Sequence, residues 1–294
     1  MKVGIPRALL FHTYADLWQK FFCELGVDFI TSPETNREIV KRGIALSVDE
    51  GCFSSKIYLG HIDWLAGKCD LVFAPRYEST GIREDMCPRI FGMWDVAKRT
   101  FPNVKFLHAD INVLQRKREQ DAFINIGEQL GFDTQKSLAA YQSAIETFKY
   151  LCEENIKNQQ ARLAKDGLKV LIVGHQYNLY DPYIGQGITK YFLDNGVTPV
   201  HANFVEVEKQ KRVYWKQNAE LLSGVQKYKD RVDGIVLVTT FPCGPDSIFN
   251  EMIIRQVKDK PILSLMVDEL DATAGLQTRL ESFVDILTAK RGAK

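Results

Sequence analysis

Leu168-Lys169-Val170-Leu171-Ile172-Val173-Gly174 is a short apolar run closed by a glycine. It is too short for a buried helix and rich in the branched residues that strands favour. A polar stretch, His175-Gln176-Tyr177-Asn178, follows it, and then an amphipathic segment over 183–195. Strand, loop and helix in that order form the unit from which parallel sheets are built.

The same alternation extends in both directions. Strand signals fall at 2–5, 27–31, 70–74 and 104–108 in the first half, and at 168–174, 198–201, 234–239 and 261–267 in the second. Helical periodicity fills 14–25, 53–66, 90–100, 183–195, 248–257 and 276–287. Gly26 and Gly196 stand where helix C-caps belong, just ahead of the next strand. Residues 115–166 carry no strand signal, and 142–164 contain neither Gly nor Pro. This stretch predicts one or two long helices. The expected organisation is an N-terminal α/β lobe over 1–114, a helical connector over 115–166 and a C-terminal α/β lobe over 167–294.

Composition limits what such a fold would do. Among 294 residues, 38 Lys and Arg balance 37 Asp and Glu, so no global field favours nucleic acid or a membrane surface. Basic clusters at 116–118 and 209–211 are interleaved with acids and read as solvated faces. No apolar run approaches a membrane span, and Pro6 breaks the first strand signal too early for a secretory leader. The expected location is therefore the cytoplasm, where the six cysteines stay reduced and serve as thiols, core residues or ligands.

In open parallel sheets, ligands gather beyond the carboxyl ends of the strands. The loops that carry weight are therefore Pro6-Arg7, Pro75-Arg76-Tyr77-Glu78, His175-Gln176-Tyr177-Asn178, Phe241-Pro242-Cys243-Gly244-Pro245-Asp246 and Asp268-Glu269. The cysteines divide along the same line. Cys23, Cys69 and Cys152 lie in or beside regular elements and read as small buried hydrophobes. Cys52, Cys87 and Cys243 each precede a helix signal and are flanked by Gly or Pro. A helix N-terminus stabilises a thiolate, the form that binds metal. Their long-range spacing is not a C-x-x-C pattern, so three unrelated loop cysteines is the opposing reading.

These loops carry a family resemblance. The matching stretches are Gly4-Ile5-Pro6-Arg7-Ala8-Leu9, Phe21-Phe22-Cys23-Glu24-Leu25-Gly26, Glu50-Gly51-Cys52 on to Lys56 and Gly60-His61, and Cys87-Pro88. Others are Gly174-His175 through Tyr177-Asn178-Leu179-Tyr180-Asp181-Pro182, and Phe241-Pro242-Cys243-Gly244-Pro245-Asp246-Ser247. The last are Asp268-Glu269, Thr273-Ala274-Gly275 and Thr278-Arg279-Leu280-Glu281-Ser282-Phe283. Together they resemble the iron–sulfur proteins related to 2-hydroxyacyl-CoA dehydratase subunits and their activase-associated proteins, double-cubane cluster proteins included. The resemblance spans nearly the whole chain and is thinnest in the central helical stretch.

The resemblance implies an α/β fold of two Rossmann-like lobes with parallel sheets, joined by long central helices. It implies a [4Fe–4S] cluster on Cys52, Cys87 and Cys243, or an [8Fe–9S] double cubane if two chains pool ligands. The implied partners are an ATP-dependent activase of the actin-like ATPase class and a second copy or related subunit, as a homodimer or heterodimer. The implied activity is acceptance of low-potential electrons and reduction of a small substrate. The chain is shorter than dehydratase subunits and shows no clear acyl-CoA pocket signature, which counts against 2-hydroxyacyl-CoA dehydration and leaves a reductase or dehydratase-like subunit as the expectation. A non-catalytic scaffold subunit and a zinc or small-ligand binding protein are the alternatives.

Further candidates surround the cysteines. Glu50 and His61 are candidate proton carriers, and Lys56, one turn beyond Cys52, is a candidate for stabilising its thiolate. The opposing readings are a helix N-terminal acid, a packed histidine and a surface lysine. Arg7, His175, Asn178 and Glu269 are candidate ligand-binding residues, with Arg7 alternatively ion-paired to Glu78 or Glu269. Asp271 ranks behind Glu269 as a candidate acid. The sequence has no G-x-x-x-x-G-K-[ST], so this chain is not expected to be a P-loop ATP hydrolyser.

Overall fold

The structure is a computed structural model that describes residues 1–208, 213–270 and 273–292. The chain divides into two compact units, Met1–Leu151 and Cys152–Lys294.

Unit 1 runs β1 (Lys2–Ile5), α1 (Phe11–Leu25), β2 (Asp28–Thr31), α2 (Arg37–Ala45), α3 (Phe53–Leu65), β3 (Leu71–Phe73), β4 (Arg76–Ser79), α4 (Pro88–Phe91), α5 (Met93–Thr100), β5 (Phe106–Leu107), β6 (Asp110–Asn112) and α6 (Glu119–Gln129). It also holds the first part of α7 (Thr134–Ala164), which continues into unit 2. Four strands form a sheet in the order β2-β1-β3-β5, all parallel.

Arg76, Tyr77 and Glu78, expected in a loop that starts at Pro75, belong to strand β4, which is paired in parallel with β6. Backbone bonds from Ala74 N to Leu107 O (3.0 Å) and from Arg76 N to Ala109 O (3.0 Å) carry the β3–β5 ladder past Pro75. Proline lacks an N–H and interrupts the strand signal without ending the pairing.

Aromatic side chains weld α1 to this sheet. Trp18 and Phe22 each meet Phe73 edge-on with ring centroids 5.2 Å apart, and Phe21 meets Phe123 of α6 at 4.9 Å. Such pairs add to their burial energy. Helix α2 starts at Asn36, whose side chain accepts from the N–H groups of Glu38 and Ile39 and so satisfies two donors the helix leaves open. It crosses α3 where Gly43 faces the Lys56 carbonyl and Gly60 faces the Ile39 carbonyl; a Cβ on either glycine would collide with that backbone.

Unit 2 contains β7 (Lys169–Val173), α8 (Gln176–Leu179), α9 (Ile188–Asp194), β8 (Thr198–His201), α10 (Lys216–Tyr228), β9 (Gly234–Thr240), α11 (Gly244–Gln256), β10 (Ile262–Val267) and α12 (Thr273–Gly292). Its sheet has the order β10-β9-β7-β8, again all parallel. Alternate residues of one strand serve opposite faces. Leu171, Val173, Ile235 and Leu237 pack with Leu222 and Val225 of α10 and Phe249 and Ile253 of α11. Val170, Ile172, Val236 and Val238 pack with Phe192 of α9 and Leu280 and Phe283 of α12. Strands buried on both faces read as unbroken apolar runs, which is why the stretch around 170–173 is legible.

The fold class is thus α/β with parallel sheets and long helices, as expected. Counted in chain order, both four-stranded sheets have the order 2-1-3-4. All eight expected strands are present, shifted by at most two residues. Two helix expectations need correction. The helix expected over 90–100 is two, because Gly92 separates α4 from α5. Helix α9 starts at Ile188 because Gly185 and Gly187 shape a turn ahead of it; Gly187 sits at φ 70°.

Candidate functional site

In the 2-1-3-4 order, the direction in which strands are added reverses between the first and third strands, and that switch point is where open α/β sheets bind ligands. In unit 1 it lies between the ends of β1 and β3. An apolar cavity opens there, lined by Pro6, Leu9, Tyr58, Pro75, Ile90 and Trp94 among others. In unit 2 it lies between β7 and β9, whose following loops carry His175 and Cys243.

The three singled-out cysteines all precede a helix. Cys52 caps α3 in extended conformation, and its carbonyl accepts from Ser55 N (2.9 Å), Lys56 N (3.1 Å) and Ser55 Oγ (2.7 Å). Cys87 caps α4, with Pro88 opening the helix, where a missing N–H costs nothing. Helix α4 has four residues, so its dipole offers Cys87 far less than α3 offers Cys52. Cys243 caps α11, and its carbonyl accepts from Ser247 N (3.1 Å) and Ser247 Oγ (2.8 Å). None of the six cysteines forms a disulfide, and these three are half-buried. Cys243 directly follows the third strand of its sheet, whereas strand β4 stands between the third strand of unit 1 and Cys87.

The remaining cysteines depart from expectation. Cys69 is half-buried and its thiol is pushed up by burial, but Cys23 and Cys152 are exposed. Cys23 falls outside the face of α1 that buries Leu17, Trp18, Phe21 and Phe22.

Around Cys52, Glu50 is exposed in the preceding turn, and its carbonyl accepts from Arg89 Nη2 at 3.4 Å. Lys56, expected as a possible surface residue, is 4% exposed, with its stem beside Gly51. His61 is fully buried; Nδ1 meets Ser32 Oγ at 2.8 Å and Nε2 meets Thr35 Oγ1 at 3.0 Å. Burial, reinforced by nearby His12 and Arg7, lowers its pKa to about 3. With both nitrogens engaged it is a neutral packed group, a setting that suits the packed-histidine reading over proton delivery. Arg7 pairs with Glu34 at 3.5 Å, and its guanidinium lies over the Phe11 ring.

In unit 2, His175 Nε2 lies 2.7 Å from Asp246 Oδ1, with both residues buried. The Tyr177 ring stacks on the imidazole at 4.9 Å. Asp246 also accepts from Asn218 Nδ2 (3.2 Å) and Thr239 Oγ1 (3.0 Å). Burial opposes its ionisation, but His175 and these donors prevail and hold the carboxyl below its usual range. An ionised carboxylate only accepts, so Nε2 of His175 carries the proton. Burial pushes Glu220 up to about 7, against the pull of Lys216 and His175. Asn178 is fully buried and its N–H donates to the His175 carbonyl at 2.9 Å. Asp181 Oδ1 accepts from the N–H groups of Tyr183 and Ile184, a turn-capping role.

Glu269 is half-buried in the turn after β10. A cavity at that strand end is lined by Gln186, Met266, Val267, Asp268 and Arg279, among others. Asp271 and the basic residues 209–211 lie outside the described residues. Among the described residues, no group of three or more His, Cys, Asp or Glu side chains is placed to hold a metal ion, and no helix is long and apolar enough to cross a membrane. Sequence reasoning missed the Asp246 hub and Arg89. The hub had one available signal: both of its loops follow strands that neighbour each other in a 2-1-3-4 sheet.

These features define a protein of two doubly wound α/β units with cysteine-bearing loops at the carboxyl ends of their strands. The chain belongs to the family described as CoA enzyme activase uncharacterised domain, whose model matches residues 2–205. That match includes Cys52 and Cys87 and ends before Cys243. No curated protein matches the chain. Among solved structures, it is similar to the Ni2+ complex of the SBP FpvC from Pseudomonas aeruginosa, at 12% identity over 100% of this chain and 98% of that one, with a TM-score of 0.29. It is similar to ZnuA at 10% identity over 98% of each chain, TM-score 0.27. It is also similar to a Zn(II)-bound mutant variant of AdcAII from Streptococcus pneumoniae at 13% identity over 98% and 97%, TM-score 0.31. TM-scores this low carry no argument.

Proposed function

We propose that this chain is an iron–sulfur protein that takes low-potential electrons from an ATP-dependent activase and passes them to a small substrate. Cys52, Cys87 and Cys243 are its thiolate ligands. The supporting observation is placement: Cys243 follows the third strand of its sheet, Cys87 follows β4, which continues on from the third strand of its own, and all three cysteines stand at the N-cap position of a helix. The donor set suits such a cluster, since three half-buried cysteines outside disulfides are soft ligands for iron. When bound, the cluster supplies one-electron chemistry. The chain's own residues hold the ligand loops: Arg89 bridges to the Cys52 loop, and Ser55 and Ser247 lock the carbonyls of Cys52 and Cys243.

The family description, which ties the domain to CoA enzyme activases, favours an activase as the electron donor. It equally suits a second reading, a non-catalytic subunit that docks the activase and relays electrons. Anaerobic purification followed by iron and sulfide analysis and electron paramagnetic resonance tests the cluster. Iron with matching sulfide and a reduced-state signal is the expected result, and colourless, iron-free protein overturns it. Turnover by the chain with activase alone separates the enzyme from the relay subunit.

A further inference from the structure

We infer that Asp246 is the positioning residue for Cys243, fixing the loop on which that thiol is presented. From Phe241 to Ile248, Asp246 is the one buried side chain: Phe241, Gly244, Ser247 and Ile248 are exposed and Pro242, Cys243 and Pro245 are half-buried. The next apolar anchor is Phe249, beyond the first turn of α11. No hydrophobic contact of comparable depth therefore holds the segment that carries the thiol.

The carboxylate makes the attachment instead. Its three donors come from three separate places: His175 in the loop after β7 (2.7 Å), Asn218 on α10 (3.2 Å) and Thr239 within β9 (3.0 Å). Burying a charge is costly unless it is hydrogen-bonded on all sides. An apolar residue at 246 would bury itself more cheaply, but in any of several rotations. Three charge-assisted bonds from different elements fix position and orientation together. Since Asp246 lies three residues beyond Cys243 on the same opening turn, fixing the one fixes the other. Ser247 completes the lock by returning its N–H and hydroxyl to the Cys243 carbonyl.

The purpose assigned to this web, presenting Cys243 for ligation, rests on the cluster reading; the restraint on the loop does not. Two measurements keep them apart. The first is peptide-resolved alkylation of metal-free protein by iodoacetamide in wild type, D246A, D246N and N218A, with melting followed alongside. Cys243 is expected to react about tenfold faster in D246A, by local opening of a loop that has lost its restraint, and less so in D246N and N218A. Cys52 and Cys87 should keep their wild-type rates. If Cys243 reacts at the wild-type rate in a D246A protein that melts normally, Asp246 does not position it. Should D246A fail to fold, unchanged Cys243 rates in both D246N and N218A overturn the positioning role in the same way.

The second measurement is iron content and the electron paramagnetic resonance spectrum of anaerobically prepared D246N. Lower iron or altered g-values at an unchanged melting temperature support positioning for ligation. A wild-type spectrum and iron content in D246N overturn that purpose. Iron-free wild type overturns the cluster reading, and the alkylation rates still decide the positioning.

Discussion

Arg89 donates from Nη2 to the carbonyl oxygen of Glu50 across 3.4 Å, so the residue two after Cys87 holds the residue two before Cys52. A guanidinium spans this distance with a planar, directional donor, which a lysine ammonium reproduces poorly. Arg89 is exposed, and its bond reaches backbone, so the link is local to the two loops.

Replacing Arg89 with alanine should therefore separate stability from ligation. Surface substitutions usually change stability by less than about 0.5 kcal/mol. The R89A protein should melt within a few degrees of wild type yet retain less iron after anaerobic desalting. Thermal melts paired with iron analysis check this. Undiminished iron in R89A means that the bridge does not serve the cysteines.

Acid should destabilise unit 1 through its buried histidines. Burial and neighbouring positive charge lower the pKa of His61 to about 3, and burial with Arg7 lowers that of His12 to about 4. Below the unfolded value near 6.5 the unfolded chain takes up a proton that the folded chain refuses. Stability contributed by these neutral rings is thus complete above about pH 6.5 and drains away as pH falls toward the folded values. For His61 alone the loss is about 2 kcal/mol by pH 5. Urea denaturation between pH 7.5 and 5 measures the slope, and H61Q should flatten it. At pH 7.5, H61Q should cost about 1–3 kcal/mol if it leaves Ser32 or Thr35 unsatisfied.

The central strands of unit 2 are legible because they are buried on both faces, which writes 170–173 and 235–238 as unbroken apolar runs. Pro75 hides the continuation of β3 into β4, since a proline looks like a break and the bridging bonds at Ala74 and Arg76 come from the residues on either side of it. Glycine misleads in the other direction: Gly92 splits a helix that hydrophobic periodicity alone would continue. Cys52, Cys87 and Cys243 can be chosen from their loop settings, but the residues that hold them cannot. His175 and Asp246 stand 71 residues apart, and only the sheet order makes them neighbours. Cys23 and Cys152 are expected inside because cysteine is so often buried, while their helices turn those positions to solvent.

The crossing of α2 and α3 predicts a sharp intolerance at Gly60. Its missing Cβ is what lets the Ile39 carbonyl approach, and Gly43 admits the Lys56 carbonyl in the same way. The obstacle in both cases is backbone, which cannot rotate aside like a side chain. Overpacking of this kind typically costs about 1–3 kcal/mol, more than alanine's better helix propensity returns. G60A should lower the urea midpoint of unit 1, and because α3 begins at Cys52, it should also disturb that thiol's alkylation rate. A G60A protein as stable as wild type would show that the two helices can separate freely.

Serine replacements discriminate between exposure and ligation among the cysteines. Serine keeps the size of cysteine but replaces a soft thiolate with a hydroxyl that stays protonated at neutral pH. Cys23 and Cys152 are the exposed thiols, so any reagent that merely selects for access finds them first. Cys52, Cys87 and Cys243 are half-buried and stand at helix N-cap positions. C52S, C87S and C243S should each lose most of the iron and the reduced-state resonance signal, while C23S and C152S keep wild-type values. The half-buried Cys69 provides a harder control: burial pushes its thiol up, away from the thiolate, so C69S should also retain its iron. Equal iron across all six variants would mean that no cysteine of this chain holds metal, whatever the loops around them suggest.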